Sequence, residues 1–353
     1  MKLIKNSRKI YLDSASATPT SAEVLKVMTK VLRDSFGNPG AIHELGVQSK
    51  NIVEDARKKI SSILGAHTDE IIFTSGATEA NNLALLGLPN LRHIVTTNIE
   101  HASVLEVCKH LEKNKLASVT YVEVEENGIV SPLKIKKALR PETTLVSVMY
   151  ANNEIGTIQP IKEIAKVIRH FQKLNPNSKI LLHTDAAQAV NYLDINTIKL
   201  GVDLMTIGSG KIYGPKGVGA LYVKRGVNIS KILHGGDQES GRRAGTENIA
   251  GIAGFSEALD ITEKMKSKES VRLIKLRDYF WAKLSKLAFD VSLNGDAVDR
   301  LPNNINITIP KIPSDLLVVE LSAHGIYISE KSACKSGEKK SSHVIKAIRT
   351  IQG

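Results

Sequence analysis

Cysteine is nearly missing from this chain: Cys108 and Cys334 are the only two in 353 residues. Two thiols cannot make a disulfide framework and are too few for a structural zinc site. Aromatic residues reach only 4%, which gives no stacking surface to go with the basic charge. No run approaches the apolar length of a membrane span. The start, "MKLIKNSRKIYLD", is basic but has no apolar stretch of the kind a signal peptide carries. The expectation is a soluble protein kept in the cytoplasm, with no membrane partner. Internal repeats and low-complexity linkers are absent as well.

Hydrophobic residues make up 42% of the chain, enough for a large core and two structural parts. The excess of 48 basic over 36 acidic residues gives a net charge of +12. The lysines are scattered through helical patterns such as "VRLIKLRDYFWAKLSKL". That charge suits acidic protein partners at least as well as nucleic acid, and no direct nucleic-acid role is expected.

Short apolar runs alternate with longer amphipathic ones from about residue 50 to residue 225. Strands are predicted at "IIFT" (71–74), "HIVTT" (93–97), "VTYVEV" (119–124), "TLVSVMY" (144–150), "KILLHT" (179–184), "DLMTIG" (203–208) and "GALYVK" (219–224). Helical patterns such as "ASVLEVCKHLEK" and "IKEIAKVIRHFQKL" lie between them. The alternation predicts an α/β fold with a mainly parallel seven-stranded sheet covered by helices on both faces. A large domain is expected over 15–257. A smaller α+β domain is expected from 1–14 and 258–353.

Ligands of open parallel sheets bind beyond the carboxyl ends of the strands. Polar residues collect there: Ser75-Gly76-Ala77-Thr78-Glu79 after "IIFT", Asn98 and His101 after "HIVTT", and Asn152 and Asn153 after "TLVSVMY". Asp185 and Gln188 follow "KILLHT", and Lys211 follows "DLMTIG". Any one of them reads as a turn or cap residue; together they describe a site. The turn at Ala77 and Thr78 opens a helix whose free N–H groups suit a phosphate. A nucleotide P-loop is excluded at "DLMTIGSGKIYGPKG", because Met205 and Ile212 stand where it needs glycine and Ser or Thr. The set instead contains the parts of a pyridoxal phosphate site: an amine to anchor the aldehyde, a carboxylate for the pyridine nitrogen, a phosphate cup and a group to stack on the ring. That makes Lys211 a covalent cofactor anchor in preference to a solvated loop lysine.

With these residues in place, the chain resembles the cysteine desulfurases, class V aminotransferase-like pyridoxal phosphate enzymes of fold type I. The motifs are "YLDSASATP", "FGNPGAIHELG", "FTSGATEANNLA", "ANNEIGTIQPI", "HTDAAQAV", "GSGKIYGPKGVGALYV", "GRRAGTENIAGI", "RLPNNINI" and "KSACKSG". The resemblance implies pyridoxal 5'-phosphate on Lys211, with Asp185 as partner of the pyridine nitrogen. His101 is the stacking histidine and a proton carrier. Gln188 is the ligand of the phenolic oxygen, and Asn153 lies beside cofactor and substrate. Thr78 is a phosphate ligand, with Ala77 beside it. It implies that Thr246 reaches the phosphate of a neighbouring subunit, hence a homodimer. It makes Cys334 the nucleophile that takes sulfur from L-cysteine as a persulfide and passes it to an acceptor protein, an iron–sulfur scaffold or a tRNA-thiolation protein. Lys331 and Lys335 flank Cys334 and favour its thiolate. Cys108 shares a helical face with Val104, Leu105 and Leu111 and reads as a core residue.

The chain departs from the family pattern twice. Gly208, Ser209, Gly210 and Lys211 stand where the family reads Ser-Gly-His-Lys, so both side-chain phosphate ligands are replaced and Ser209 is the substitute. The family pattern also continues past "SHVIKAIRTIQG" with further small-domain elements, among them the arginine that clamps the substrate carboxylate. Arg349 does not align with that arginine and reads as a helix-end surface residue. The small domain is therefore expected to expose apolar surface, and the chain to bind cofactor but desulfurate cysteine poorly. The alternatives are a selenocysteine lyase and a non-catalytic pyridoxal phosphate-binding remnant.

Overall fold

A computed structural model describes residues 9–287, 290–310, 312–330 and 342–349. Its centre is a seven-stranded sheet. In chain order the strands are β2 (Ile71–Thr74), β3 (His93–Thr97), β4 (Ser118–Val122), β5 (Thr143–Ser147), β6 (Leu181–Asp185), β7 (Leu204–Gly208) and β8 (Gly219–Val223). They lie in the order β2-β8-β7-β6-β5-β3-β4. β8 runs antiparallel to β2 and β7, and the other pairings are parallel. β7 and β8 are buried along their whole length, so their residues read as continuous apolar runs without alternation. β4, at the edge, begins with the exposed Ser118.

The sequence limits of β2 and β3 are those observed. "TLVSVMY" differs: the ladder stops at Ser147, while residues 148–150 stay extended and bond across to the end of β6. Val148 N–H donates to His183 O at 3.1 Å and Tyr150 N–H to Asp185 O at 2.8 Å. This continuation carries the chain past Asp185 and into the turn that holds Asn152 and Asn153.

Helices cover both faces. They are α1 (Ala22–Asp34), α2 (Glu44–Leu64), α3 (Ala77–Leu86), α4 (Ala102–Lys113), α5 (Pro132–Ala138), α6 (Ile161–Leu174), the short α7 (Thr197–Leu200) and the long α8 (Ile249–Leu284). The α3–α4 side buries Leu83, Leu85, Val104 and Cys108, and the opposite side buries Ile60, Leu64, Ile164 and Phe255. Each such Val, Leu, Ile or Phe side chain contributes about 1.5–3 kcal/mol by leaving water. α8 buries Phe255 and Leu259 but nothing after Thr262, where it leaves the core and exposes Val271, Leu276 and Tyr279.

Beyond α8 come β9 (Ser292–Leu293), β10 (Ile307–Thr308), α9 (Ser314–Ala323), β11 (Ile326–Tyr327) and α10 (His343–Arg349). β9 pairs with β10, and β11 pairs in parallel with the N-terminal β1 (Ile10–Tyr11). α9 has no buried residue and leaves Leu316 and Val319 59% and 66% exposed. α10 returns to the principal core through Val344 and Ile348. Arg349, its last residue, is exposed and bonded to the Thr308 hydroxyl. Among the described residues, no helix is long and apolar enough to cross a membrane.

Candidate active site

β7 ends at Gly208 and passes into a single 3-10 turn, Ser209–Lys211. The N-terminal segment straps this turn down. Thr18 donates its hydroxyl to Gly210 O at 3.2 Å and accepts the N–H of Tyr213 at 2.8 Å. That second bond holds Tyr213 at φ +61°, a left-handed conformation that a tyrosine rarely takes unaided. The Lys211 ammonium donates to the carbonyl of Ser16. Gln188 Nε2 donates to the neighbouring carbonyl, Ala15 O, at 2.9 Å. Lys211 and Gln188 therefore meet on one short stretch of chain. Lys216 donates to Thr18 O on the same segment, which makes it the spatial competitor of Lys211.

Asp185 closes β6 and is 7% exposed. Its Oδ1 accepts the Ala187 N–H at 2.9 Å, and its Oδ2 accepts Asn81 Nδ2 at 2.6 Å. The second N–H of the Asn81 amide goes to Ser103 Oγ at 2.8 Å, and Ser103 Oγ lies 2.8 Å from His101 Nδ1. Because Asn81 donates to this hydroxyl, the Ser103 proton is directed onto His101 Nδ1. The Ser103 N–H donates to the same nitrogen at 3.1 Å, so the ring caps α4. A nitrogen that accepts two donors carries no proton, which leaves the proton of the neutral ring on Nε2. Asn81 Oδ1 is buried without a partner, at a cost of about 1–3 kcal/mol. The reversed amide would place that oxygen 2.6 Å from a carboxylate oxygen, a worse arrangement.

Behind this chain lies Glu100, fully buried. Burial pushes its carboxyl up to about 8, the charge of Asp185 adds to the rise, and bonds from Thr97 and Met149 N–H only partly oppose it. At neutral pH Glu100 therefore keeps its proton and adds no second charge beside Asp185. The folded chain retains a proton on Glu100 that the unfolded chain releases near 4.5. The stability this proton provides is full below that value, declines as pH rises above it, and is lost through about 8. Glu100→Gln should flatten the fall in Tm between roughly pH 5 and pH 8.5. Parallel pH profiles for parent and variant would refute a protonated Glu100.

α3 starts at Ala77 behind Gly76, which adopts φ +151° with no atom within 4 Å of where a Cβ would stand. No side chain caps this helix. Its first N–H groups and positive dipole end are thus left without a side-chain partner, as a cradle for a phosphate requires. A Cβ on Gly208 would come 3.2 Å from Ala77 Cβ and 3.6 Å from Ala77 N. The glycine keeps the cradle open. Glu79, in the first turn, would repel an anion, but it is occupied: Arg243 Nε donates to it at 2.8 Å and Ser75 N–H at 2.7 Å. Burial works against its ionisation, and those two donors outweigh it, holding the carboxyl below its ordinary range.

The structure thus brings Lys211, Gln188, Asp185, His101 and Ala77 to one end of the sheet. Thr78, next to Ala77, is exposed. Asn153 stands in a turn ordered by Asn152, whose Oδ1 accepts the N–H groups of Glu154 and Ile155. Ser209 needs correction as a substitute phosphate ligand: its hydroxyl is fully buried, packed against Gly214 and without a partner, so it does not face the cradle. Thr246 lines a cleft with Thr74, Ser75, Gly217 and Arg243. Cys334, Lys331 and Lys335 lie outside the described residues. Asn81, Ser103 and the carbonyls of Ala15 and Ser16 escape a reading by strand ends, since Asn81 sits inside a helix and the carbonyls carry no side-chain signature. The motifs "FTSGATEANNLA" and "YLDSASATP" carry Asn81 and the Ala15–Ser16 stretch and are their only signal in the sequence.

Pyridoxal phosphate fits this residue set. The Asp185 carboxylate is met only by donors and can accept one more, from a pyridinium N–H. A lysine amine reaches the same end of the sheet, and an uncapped helix start offers N–H groups to a phosphate.

A model of the aminotransferase class-V family matches residues 10–350. The cysteine desulfurase IscS of Dictyoglomus turgidum is 45% identical over 346 residues, covering 97% of this chain and 86% of that protein. The cysteine desulfurase IscS of Methanosarcina thermophila is 42% identical, covering 97% and 83%. Among solved structures, a NifS-like protein superposes with a TM-score of 0.89 at 34% identity, covering 97% of this chain and 90% of its own. SspA in complex with cysteine superposes at 0.82 with 34% identity, covering 97% and 94%.

Proposed function

Because the chain belongs to the class-V aminotransferase family, we propose that its site desulfurates L-cysteine with pyridoxal phosphate, releasing alanine and keeping the sulfur as a persulfide on Cys334. The observation that carries this reading is the buried Asp185 carboxylate, surrounded by donors and tied through Asn81 and Ser103 to His101. Bound pyridoxal phosphate supplies an electron sink next to the substrate's reacting carbon.

The chain's own residues do the rest. Lys211 provides the amine that anchors the aldehyde and moves protons next to it. Asp185 holds the proton at the pyridine nitrogen. His101 would lie against the ring and offers a proton at Nε2. The N–H groups at Ala77 and Thr78 take the phosphate, Gln188 the phenolic oxygen, and Asn153 the space beside the substrate. The Cys334 thiolate takes the sulfur atom. The substrate C–S bond breaks, its electron pair stays on carbon, and protonation there gives alanine.

The protein is to be incubated with pyridoxal phosphate and L-cysteine, and alanine and protein-bound sulfur counted. Equal amounts support the reading. A cofactor-loaded protein that yields no alanine would leave a binding remnant, and turnover of selenocysteine alone would leave a selenocysteine lyase.

The homodimer and the acceptor belong to the same proposal. The exposed Thr246 hydroxyl is assigned to the phosphate of a second subunit, so that the site is complete only as a symmetric pair. A monomer in light scattering that still retains tightly bound cofactor contradicts this. The persulfide passes to an acceptor protein of iron–sulfur assembly or tRNA thiolation, in the cytoplasm.

A further inference from the structure

We propose that the ion pair Arg57–Glu239 is a positioning device, which holds a left-handed turn at 239–241 and thereby sets where Thr246 is presented. The part concerning Thr246 rests on the function proposed above, whereas the clamp stands on its own contacts. Glu239, Ser240 and Gly241 follow one another with φ of 48°, 57° and 75°. Glycine takes this region freely, but glutamate and serine are disfavoured there by their Cβ atoms. Such a turn persists only where its surroundings enforce it.

The Glu239 side chain, 3% exposed, supplies the enforcement. Its two carboxylate oxygens accept Arg57 Nη1 and Nη2, each at 2.8 Å, and Oε2 also accepts the Phe73 N–H at 2.9 Å. Arg57 is itself fixed on α2: Nη1 donates to Ile71 O at 2.8 Å, and the guanidinium stands 4.7 Å from the Phe73 ring centre. A planar fork with two parallel bonds sets orientation as well as charge, which a lysine could not do.

Past the turn, Arg242 donates to Asp69 O at 2.7 Å and Arg243 pairs with Glu79. The Gly245 N–H closes the loop on Gln238 Oε1 at 3.0 Å. Thr246 comes next, exposed and with no hydrogen bond among the described residues. A loop pinned along its length therefore ends in an unengaged hydroxyl. Pinning keeps that hydroxyl in one place, which a precise contact to a phosphate requires.

Removing Arg57 alone would strand a buried carboxylate and endanger the fold. The test therefore uses the neutral pair Arg57→Met with Glu239→Gln, in the full chain loaded with pyridoxal phosphate. Tm should stay near the parent value, since neutral replacement of a buried pair is often tolerated. Amide hydrogen exchange over 237–246 should accelerate by about tenfold or more while other segments stay unchanged. Cofactor loss on dilution should accelerate by about tenfold. Adding Ser240→Gly should recover part of both effects, because glycine accepts the turn without being held.

Unchanged exchange over 237–246 overturns the clamp. Faster exchange with unchanged cofactor retention overturns the positioning, and Thr246→Ala then separates the causes. If Thr246→Ala loses cofactor faster, the Thr246 reading survives and the link to Arg57 is wrong. If it does not, the Thr246 reading is wrong.

Discussion

Lys211→Arg is expected to abolish turnover and to leave no cofactor that borohydride can fix to the chain. Arginine keeps the positive charge and reaches a similar distance, but it stays protonated at any working pH and cannot add to an aldehyde. The loss should exceed the about 10²–10⁴-fold that a positioned acid–base group supplies, since the anchor and the proton carrier disappear together. The strap over the Lys211 turn should survive, because the bonds of Thr18 to Gly210 and Tyr213 do not involve the lysine side chain. The measurement is borohydride reduction of cofactor-loaded parent and variant, followed by peptide mapping. A label on Lys216, which reaches the same N-terminal segment, would show that the wrong lysine had been chosen.

Cys334→Ala should remove protein-bound persulfide entirely and lower alanine release by on the order of 10³ or more, the scale on which loss of a nucleophile acts. The chain has only one other thiol, Cys108. It lies fully buried in α4, and burial, with Glu100 and Glu112 adding to it, pushes the thiol up to about 12. A thiol so placed carries no thiolate to attack with and cannot reach a substrate. Cys108→Ala should therefore keep persulfide formation and lower stability by only ~1 kcal/mol, for one small buried group. The variant Cys334→Ala should still bind cofactor, because Lys211, Asp185 and His101 are all retained. Mass spectrometry after incubation with cysteine decides the matter: undiminished persulfide in Cys334→Ala means that the sulfur goes elsewhere.

Much of the site was legible because parallel sheets place function at strand ends. Once "KILLHT" and "DLMTIG" are strands, Asp185 and Lys211 follow as neighbours. His101 was legible as a residue but not as a cap: its tautomer depends on Ser103, and the donor direction of Ser103 depends on Asn81. Those three residues lie on two helices that meet only in the folded chain. Ser209 shows the opposite failure. Its position in the motif suggested a phosphate ligand, but the 3-10 turn rotates its hydroxyl inward against Gly214.

What the sequence determined by itself was what depends on local periodicity and order along the chain: the alternation of strands and helices, the mainly parallel sheet, the burial of Cys108, and the identity of the lysine and aspartate at two strand ends. Tertiary structure alone decided which of the polar groups touch. It turned Glu100 into a neutral acid by enclosing it beside Asp185, tied Lys211 to a segment almost two hundred residues upstream, and locked Glu239 onto Arg57 across a similar separation. Charge state and donor direction are set by neighbours in space. Distance along the chain carries no information about those neighbours until the sheet has brought them together.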